Sequence, residues 1–258
     1  MSGLVFVKLG GSLITDKSRP YTVRQAVLDR LCQEIHDARS RQDFSLVVGN
    51  GAGSFAHVSA SRHRTNEGII DDASWRGFTE VHHDALRLNT LVREALTGAG
   101  ELAVTLQPSS SCVTRSARIV SYHTRPIELL LAAGVVPLVY GDVCVDEQQG
   151  CAIASTEEVL RYLASVLEPA RIILVGKVAG VLDGGGKVLP SVTRESFEAI
   201  RGSLLASDGV ADVTGGMLHK VERALESGVH TEIINGLEPG LLGRALLGEQ
   251  GLGTTIAG

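Results

Sequence analysis

An unbroken apolar run, Leu4-Val5-Phe6-Val7, stands at the start of the chain and ends in Lys8-Leu9-Gly10-Gly11-Ser12. The run is long enough to cross a buried parallel sheet. Two adjacent glycines after a strand let the backbone turn sharply and bring bare N–H groups close to a ligand. Lys8 reads as a lysine at the edge of this turn, and Lys17 lies nine residues further on. Backbone donors with two cations beside them suit a polyphosphate. A Gly-Gly pair alone is more often a plain tight turn; the strand in front and the flanking lysines favour a phosphate site. It is not the common P-loop, because no G-x-x-x-x-G-K-[ST] occurs in the chain.

Strands and helices alternate from there on. Thr22 and Gln25 fit a capping box opening a helix whose Val23, Val27, Leu31 and Ile35 share one face. Residues 44–48 form a second strand, and Trp75, Phe78, Val81, Ala85, Leu88 and Val92 mark a long helix ending at Gly98. Strands follow at 103–106 and 135–140, separated by a short helix at 127–133, and residues 144–151 read as a hairpin. The second half gives a helix from Thr156 to a stop at Pro169, a strand at 172–175, a glycine turn at 184–186, a helix at 214–227, and strands at 232–234 and 254–257. Strands separated by helices imply a mostly parallel sheet covered on both faces. At 258 residues the chain suits one large α/β domain or two closely joined lobes, divided near residue 170.

Charge and composition exclude several functions. With 24 basic and 29 acidic residues the net charge is −5, which does not suit a nucleic-acid surface. No apolar run approaches the roughly 18 residues a membrane helix needs, and no charged segment precedes a signal-like stretch. The expectation is a soluble, cytoplasmic protein. Its four cysteines, Cys32, Cys112, Cys144 and Cys151, lack C-x-x-C spacing, so they read as reduced, partly buried residues.

Two further glycine junctions carry chemistry. Gly51, Gly53 and Ser54 follow the second strand where a helix begins, and N-terminal N–H groups with a hydroxyl can hold an anion there. His57 lies one helical turn past Gly53, so its ring can face the same pocket. A lone histidine is usually a hydrogen-bonded surface or core residue; the loop in front of it favours a ligand. In Asp212-Val213-Thr214-Gly215-Gly216-Met217, with Lys220 four residues past Gly216, glycines again open a helix. An exposed helical lysine is the bland reading, weakened by this being a third such junction. Lys8, Lys17 and Lys220 around glycine loops suit phosphoryl transfer, which is mainly positioning and charge neutralisation.

Together these stretches resemble the amino acid kinase superfamily, and within it the isopentenyl phosphate kinases. The matching blocks are Lys8 to Ser12 with Lys17, Gly51 to Phe55 with His57, Gly141-Asp142-Val143, and Asp212 to Met217 with Lys220. The resemblance covers nearly the whole chain and implies a three-layer αβα sandwich around a mainly parallel eight-stranded sheet. It implies a homodimer, ATP and Mg²⁺ as co-substrates, an acceptor lobe (about 1–170) and a nucleotide lobe (about 171–258). Lys8, Gly10, Gly11 and Ser12 would hold ATP phosphates, with Lys177, Gly180, Gly215 and Gly216 also on the nucleotide side. Lys17 and Lys220 would neutralise the transferred group, and Gly53 would lie between the substrates. Ala52, Ser54, His57, Gly141 and Thr156 would line the acceptor side. The reaction implied is ATP-dependent phosphorylation of isopentenyl phosphate to isopentenyl diphosphate.

Some positions depart from the family pattern. A Ser-Gly-Asp block stands here as Ser155-Thr156-Glu157, and Asp-Val-Asp-Gly as Lys177-Val178-Ala179-Gly180. Glu157 would organise the two catalytic lysines from one methylene further out. Asn50 and Ala56 stand where His and Gly are common. Phe78, Val81 and Ile153 are candidates for an apolar tail pocket, or plain core. Two other readings stay open: a related kinase of a small phosphonate with a polar acceptor pocket, of the fosfomycin type, and a sensor that binds nucleotide or phosphometabolite without turnover.

Overall fold

The computed structural model describes residues 2–207 and 216–257. The first strand, β1 (Ser2–Leu9), extends beyond the apolar run at both ends and includes Lys8, which is buried within the strand rather than at a loop edge. It passes through the turn α1 (Gly11–Ile14) to helix α2 (Gln25–Arg41). The expected capping box does not form. Thr22 Oγ1 donates to Pro20 O instead, and the helix starts at Gln25 after Arg24 with no side-chain cap. Strand β2 (Phe44–Asn50) leads into α3 (Gly53–His63), followed by the long helix α4 (Ser74–Gly98) and the short strand β3 (Ala103–Thr105).

A segment that the sequence reading left unassigned comes next: the turn α5 (Pro108–Ser111) and strands β4 (Cys112–Arg115) and β5 (Arg118–Tyr122). Helix α6 (Arg125–Ala132) and strand β6 (Val136–Tyr140) return to the main sheet. The hairpin is β7 (Asp142–Asp146) with β8 (Gly150–Ala154). Helix α7 (Thr156–Leu167) and strand β9 (Arg171–Gly176) open the second half. Then come β10 (Ser191–Val192), α8 (Arg194–Ser207), α9 (Gly216–Ser227), β11 (Thr231–Asn235), α10 (Leu241–Leu246) and β12 (Gly253–Ile256).

The main sheet has eight strands in the order β10-β12-β11-β9-β1-β2-β6-β3, parallel except for the β11–β12 pair. Val7 pairs with Val48 of β2 on one side and Ile173 of β9 on the other. Strands before residue 170 therefore lie on one side of β1 and later ones on the other. Such a reversal of strand order leaves a crevice outside the carboxyl ends of the strands. The ends of β1, β2 and β9 deliver Gly10, Gly51 and Lys177 to that crevice.

Alternation along β1 sends its side chains to two cores. Val7 and Leu9 pack with Leu31 of α2, Leu88 of α4 and Leu242 of α10, whereas Phe6 packs with Val159 and Leu163 of α7 and Val221 of α9. Each fully buried side chain of this kind contributes about 1.5–3 kcal/mol. A third cluster, Ala56, Ala60, Val81, Tyr140, Val143 and Cys151, lies between α3, α4 and the hairpin. A second, four-stranded sheet, β5-β4-β7-β8, carries the hairpin. Asp146 ties its two turns together by accepting from the backbone N–H groups of Ser116, Ala117, Gln148 and Gln149. Burial alone would raise this carboxyl, but those backbone donors bring it down to about 2. No helix among the described residues is long and apolar enough to cross a membrane.

Candidate active site

The first two glycine loops touch backbone to backbone. A Cβ on Gly11 would stand 2.3 Å from Gly53 N, and Gly53 itself has φ +54° with no room for a side chain beside Thr15. Only glycine fits at either position. Thr15, fully buried, fastens the contact: its Oγ1 donates to Gly11 O at 2.7 Å and accepts from Ser54 N at 2.9 Å. Helix α3 has no side-chain cap of its own, so Thr15 satisfies one of its free N–H groups from another segment. This role is not visible from spacing, because Thr15 is distant in sequence from the helix it caps.

Around these loops lies a cavity of about 260 Å³. Lys8, Lys17, Lys177, Lys220 and His57 all line it, as do Gly10, Gly11, Ser12, Ala52, Gly53, Gly141 and Gly216. Lys8 Nζ is ion-paired with Glu157, both side chains being largely buried. Burial would raise the Glu157 carboxyl; the charges of Lys8 and Lys220 and the Lys8 hydrogen bond outweigh it and hold it below its ordinary value. Glu157 occupies the first turn of α7, which Ser155 caps by accepting from Glu158 N at 3.1 Å. Lys220 Nζ donates to Gly216 O at the entrance of its own helix. Lys177 is depressed first by burial, then by the positive charges of Arg24 and Lys17, with Asp16 opposing. Two of these cations, Lys17 and Lys177, line the cavity.

Two sequence candidates, Ser54 and Gly180, do not line the cavity, and two more need separate mention. The Ser54 hydroxyl faces the Thr22 backbone, 3.3 Å from its N and 3.4 Å from its O, and does not line the cavity. Gly180 is packed on Thr254, whose Oγ1 a Cβ there would approach to 2.3 Å, away from the cavity. Thr156 lines the wall, but its hydroxyl is committed to Asn50 O at 2.7 Å. Gly215, with Asp212 to Thr214, lies outside the described residues. Ala56, Ala60, Val81 and Ile153 also line the cavity. Phe78 does not; it packs beside Trp75 at a ring separation of 5.7 Å.

Asp142, buried in the cavity wall, is held by an array absent from the sequence reading. It accepts from Val143 N and Ser109 N, and His82 Nδ1 lies 3.2 Å from both of its oxygens. Ser109 Oγ approaches the same Nδ1, at 3.3 Å. A nucleophile relay needs serine and carboxylate on opposite ring nitrogens, so this is a structural pair. The Asp142 hydrogen bond raises the His82 pKa, burial opposes, and the Asp142 charge adds to the rise. The pair therefore contributes stability below the ordinary value of 6.5 and loses it as pH rises through the higher folded value. Melting curves should show the parent's advantage over His82→Gln shrinking from pH ~6 to pH ~8. A gap constant with pH would mean that neutral His82 makes the contact.

Comparison with known proteins is consistent with this geometry. The chain is 35% identical to the isopentenyl phosphate kinase of Methanothermobacter thermautotrophicus, over 99% of each chain. It is 36% identical to that of Haloferax volcanii, over 99% of this chain and 95% of that one. A solved structure of isopentenyl phosphate kinase superposes with a TM-score of 0.84 at 31% identity, covering 98% of this chain and all of the other. The family model described as the amino acid kinase family matches residues 3–233, a span that runs from β1 into β11 and takes in the glycine loops of the cavity, and the chain belongs to that family.

Proposed function

We propose that this chain is a phosphotransferase that moves the γ-phosphoryl group of ATP onto isopentenyl phosphate, giving isopentenyl diphosphate and ADP. One observation carries the reading: a single cavity is lined both by lysines and glycine loops and by a group of small and branched apolar side chains, Ala56, Ala60, Val81 and Ile153, together with His57. That is the shape of an acceptor with a phosphate head and a small hydrocarbon tail. The apolar wall favours it over a polar phosphonate acceptor, and the assembled lysines favour turnover over sensing.

The acceptor phosphate is already ionised near pH 7, its second pKa being about 6, so it attacks without a strong general base. An acceptor oxygen bonds to the γ-phosphorus while the bond to the β–γ bridging oxygen breaks, and ADP leaves with that electron pair. Lys8, Lys17 and Lys220 neutralise charge on the moving group, and Glu157 keeps Lys8 and Lys220 from repelling each other. Gly10, Gly11, Ser12, Lys177 and Gly216 face the nucleotide; Ala52, His57 and Gly141 face the acceptor. No carboxylate or histidine cluster able to hold a metal occurs among the described residues. Mg²⁺ would come with ATP as co-substrate and would screen the charge of its phosphates.

The test is to incubate the protein with Mg-ATP and a panel of prenyl phosphates, fosfomycin and amino acids, following ADP and the phosphorylated product. Release of ADP with isopentenyl phosphate supports the reading; turnover confined to fosfomycin or an amino acid overturns it. His57→Ala should lower kcat/KM for the acceptor by about ten- to a hundred-fold, since a charge-assisted hydrogen bond is worth roughly 1.5–3 kcal/mol. The KM for ATP should hold, and a loss on the ATP side instead would reverse the two halves of the site.

The remaining proposals are an acceptor lobe up to about residue 170, a nucleotide lobe after it, a homodimer and a cytoplasmic location. The strand order on either side of β1 supports the lobes, and the exposed Leu102 and Val104 at the β3 edge support association. All four cysteines are free, and Cys112 and Cys144 share a thiol hydrogen bond at 3.2 Å between sulfurs rather than a disulfide, which suits a reducing compartment. Analytical ultracentrifugation tests the dimer.

A further inference from the structure

We propose that Asn50, backed by Asn89 and Thr105, is a positioning residue that aims the Ala52 N–H at the acceptor phosphate. Asn50 is the last residue of β2, and Asn89 is fully enclosed on α4. The hydrogen bonds run in one direction. Thr105 Oγ1 donates to Asn89 Oδ1 at 2.7 Å, Asn89 Nδ2 to Asn50 Oδ1 at 2.8 Å, and Asn50 Nδ2 to Gly51 O at 3.3 Å. Every buried polar atom of the two asparagines is satisfied, so the chain has one consistent orientation rather than two amide flips of equal energy.

The terminus of this chain is what matters. A trans peptide unit is planar, and its C=O and N–H point in opposite directions. Holding the Gly51 carbonyl towards the interior therefore turns the Ala52 N–H the other way, and Ala52 lines the cavity. Gly51 N is separately tied to Leu9 O at 3.0 Å, leaving the Gly51–Ala52 peptide as the unit that the asparagine sets. The Asn50 carbonyl also accepts from Gly141 N and from Thr156 Oγ1, at 3.3 and 2.7 Å. One residue thus registers the glycine loop against the other acceptor-side turn and the start of α7, which carries Glu157. A buried polar chain gives little net stability over a well-packed apolar one, so the direction it imposes is its main physical effect.

The inference rests on the acceptor-side reading of Ala52, and its test does not use turnover. Inorganic phosphate is titrated by calorimetry into protein saturated with AMP-PNP, which fills the nucleotide side. Asn50→Ala and Asn89→Ala should each weaken phosphate binding about tenfold or more, while AMP-PNP affinity stays within about twofold. The double variant should be no weaker than Asn50→Ala alone, because both act through one bond. Thr105→Val, at the far end on the edge strand and nearly isosteric, should shift binding in the same direction by about threefold, and serves if the asparagine variants fail to fold. Phosphate affinity within twofold of the parent in a folded variant, equal losses for AMP-PNP, or failure of the parent itself to bind phosphate would each overturn the proposal. Parent turnover of isopentenyl phosphate separately decides the proposed reaction.

Discussion

Lys8→Ala should lower turnover by about two orders of magnitude or more, the scale for losing a preorganised charge at a transition state. Its ammonium lines the cavity, buried and already paired with Glu157, so it costs no reorganisation when the phosphoryl group moves. The same burial makes the variant less stable. Removing one partner of a buried pair leaves an uncompensated charge, at about 3–5 kcal/mol where nothing else compensates. Lys220 also acts on Glu157, which places the cost at the low end. Stability and catalysis can be separated with Lys8→Met, which keeps the stem, and the double variant Lys8→Met/Glu157→Gln. The double variant should recover most of the melting temperature lost in Lys8→Met and none of the turnover. A folded Lys8→Met with near-parental kcat would remove Lys8 from the mechanism.

Sheet and site were legible to different degrees. The strands of the main sheet were readable because parallel strands buried on both faces are near-continuous apolar runs, as in residues 4–7 and 172–175. Strands β4 and β5 were missed because Cys-Val-Thr-Arg and Arg-Ile-Val-Ser-Tyr are short and mixed, and one carboxylate, Asp146, sets the turn between them. The capping box failed because Thr22 had a competing acceptor in the Pro20 carbonyl, a local contact that spacing does not reveal. At the site, Lys8, Lys17, Lys220 and His57 announced themselves by lying close in sequence to glycine-rich stretches. Thr15, Asn50, Asn89 and His82 did not, since each works through a partner dozens of residues away, as Asn89 does through Asn50. Ser54 and Gly180 are the reverse case, since neither lines the cavity. Their residue types suit a phosphate loop, but a turn and a close backbone approach consume them.

Glu157→Gln should reduce kcat by about a hundred-fold while ATP affinity changes little. Gln keeps nearly the same volume, but it removes a negative charge that acts on both Lys8 and Lys220. Without it the two ammoniums repel, and neither is held in line with the moving phosphoryl group. Ground-state binding survives because the triphosphate itself attracts both lysines. Glu157→Asp should remain active, since the carboxylate returns one methylene shorter and the short side chain still reaches Lys8. The depressed carboxyl has a second consequence: its stabilisation is complete above the ordinary value of 4.5 and is lost as pH falls through the lower folded value. Acid unfolding of Glu157→Gln should therefore be less steep than that of the parent. The competing account makes Glu157 only a first-turn helix acid, favourable to the dipole by about 0.3–1 kcal/mol. That account predicts a slightly lower melting temperature with kcat intact, and single-turnover measurement of ADP formation in Glu157→Gln tells the two apart.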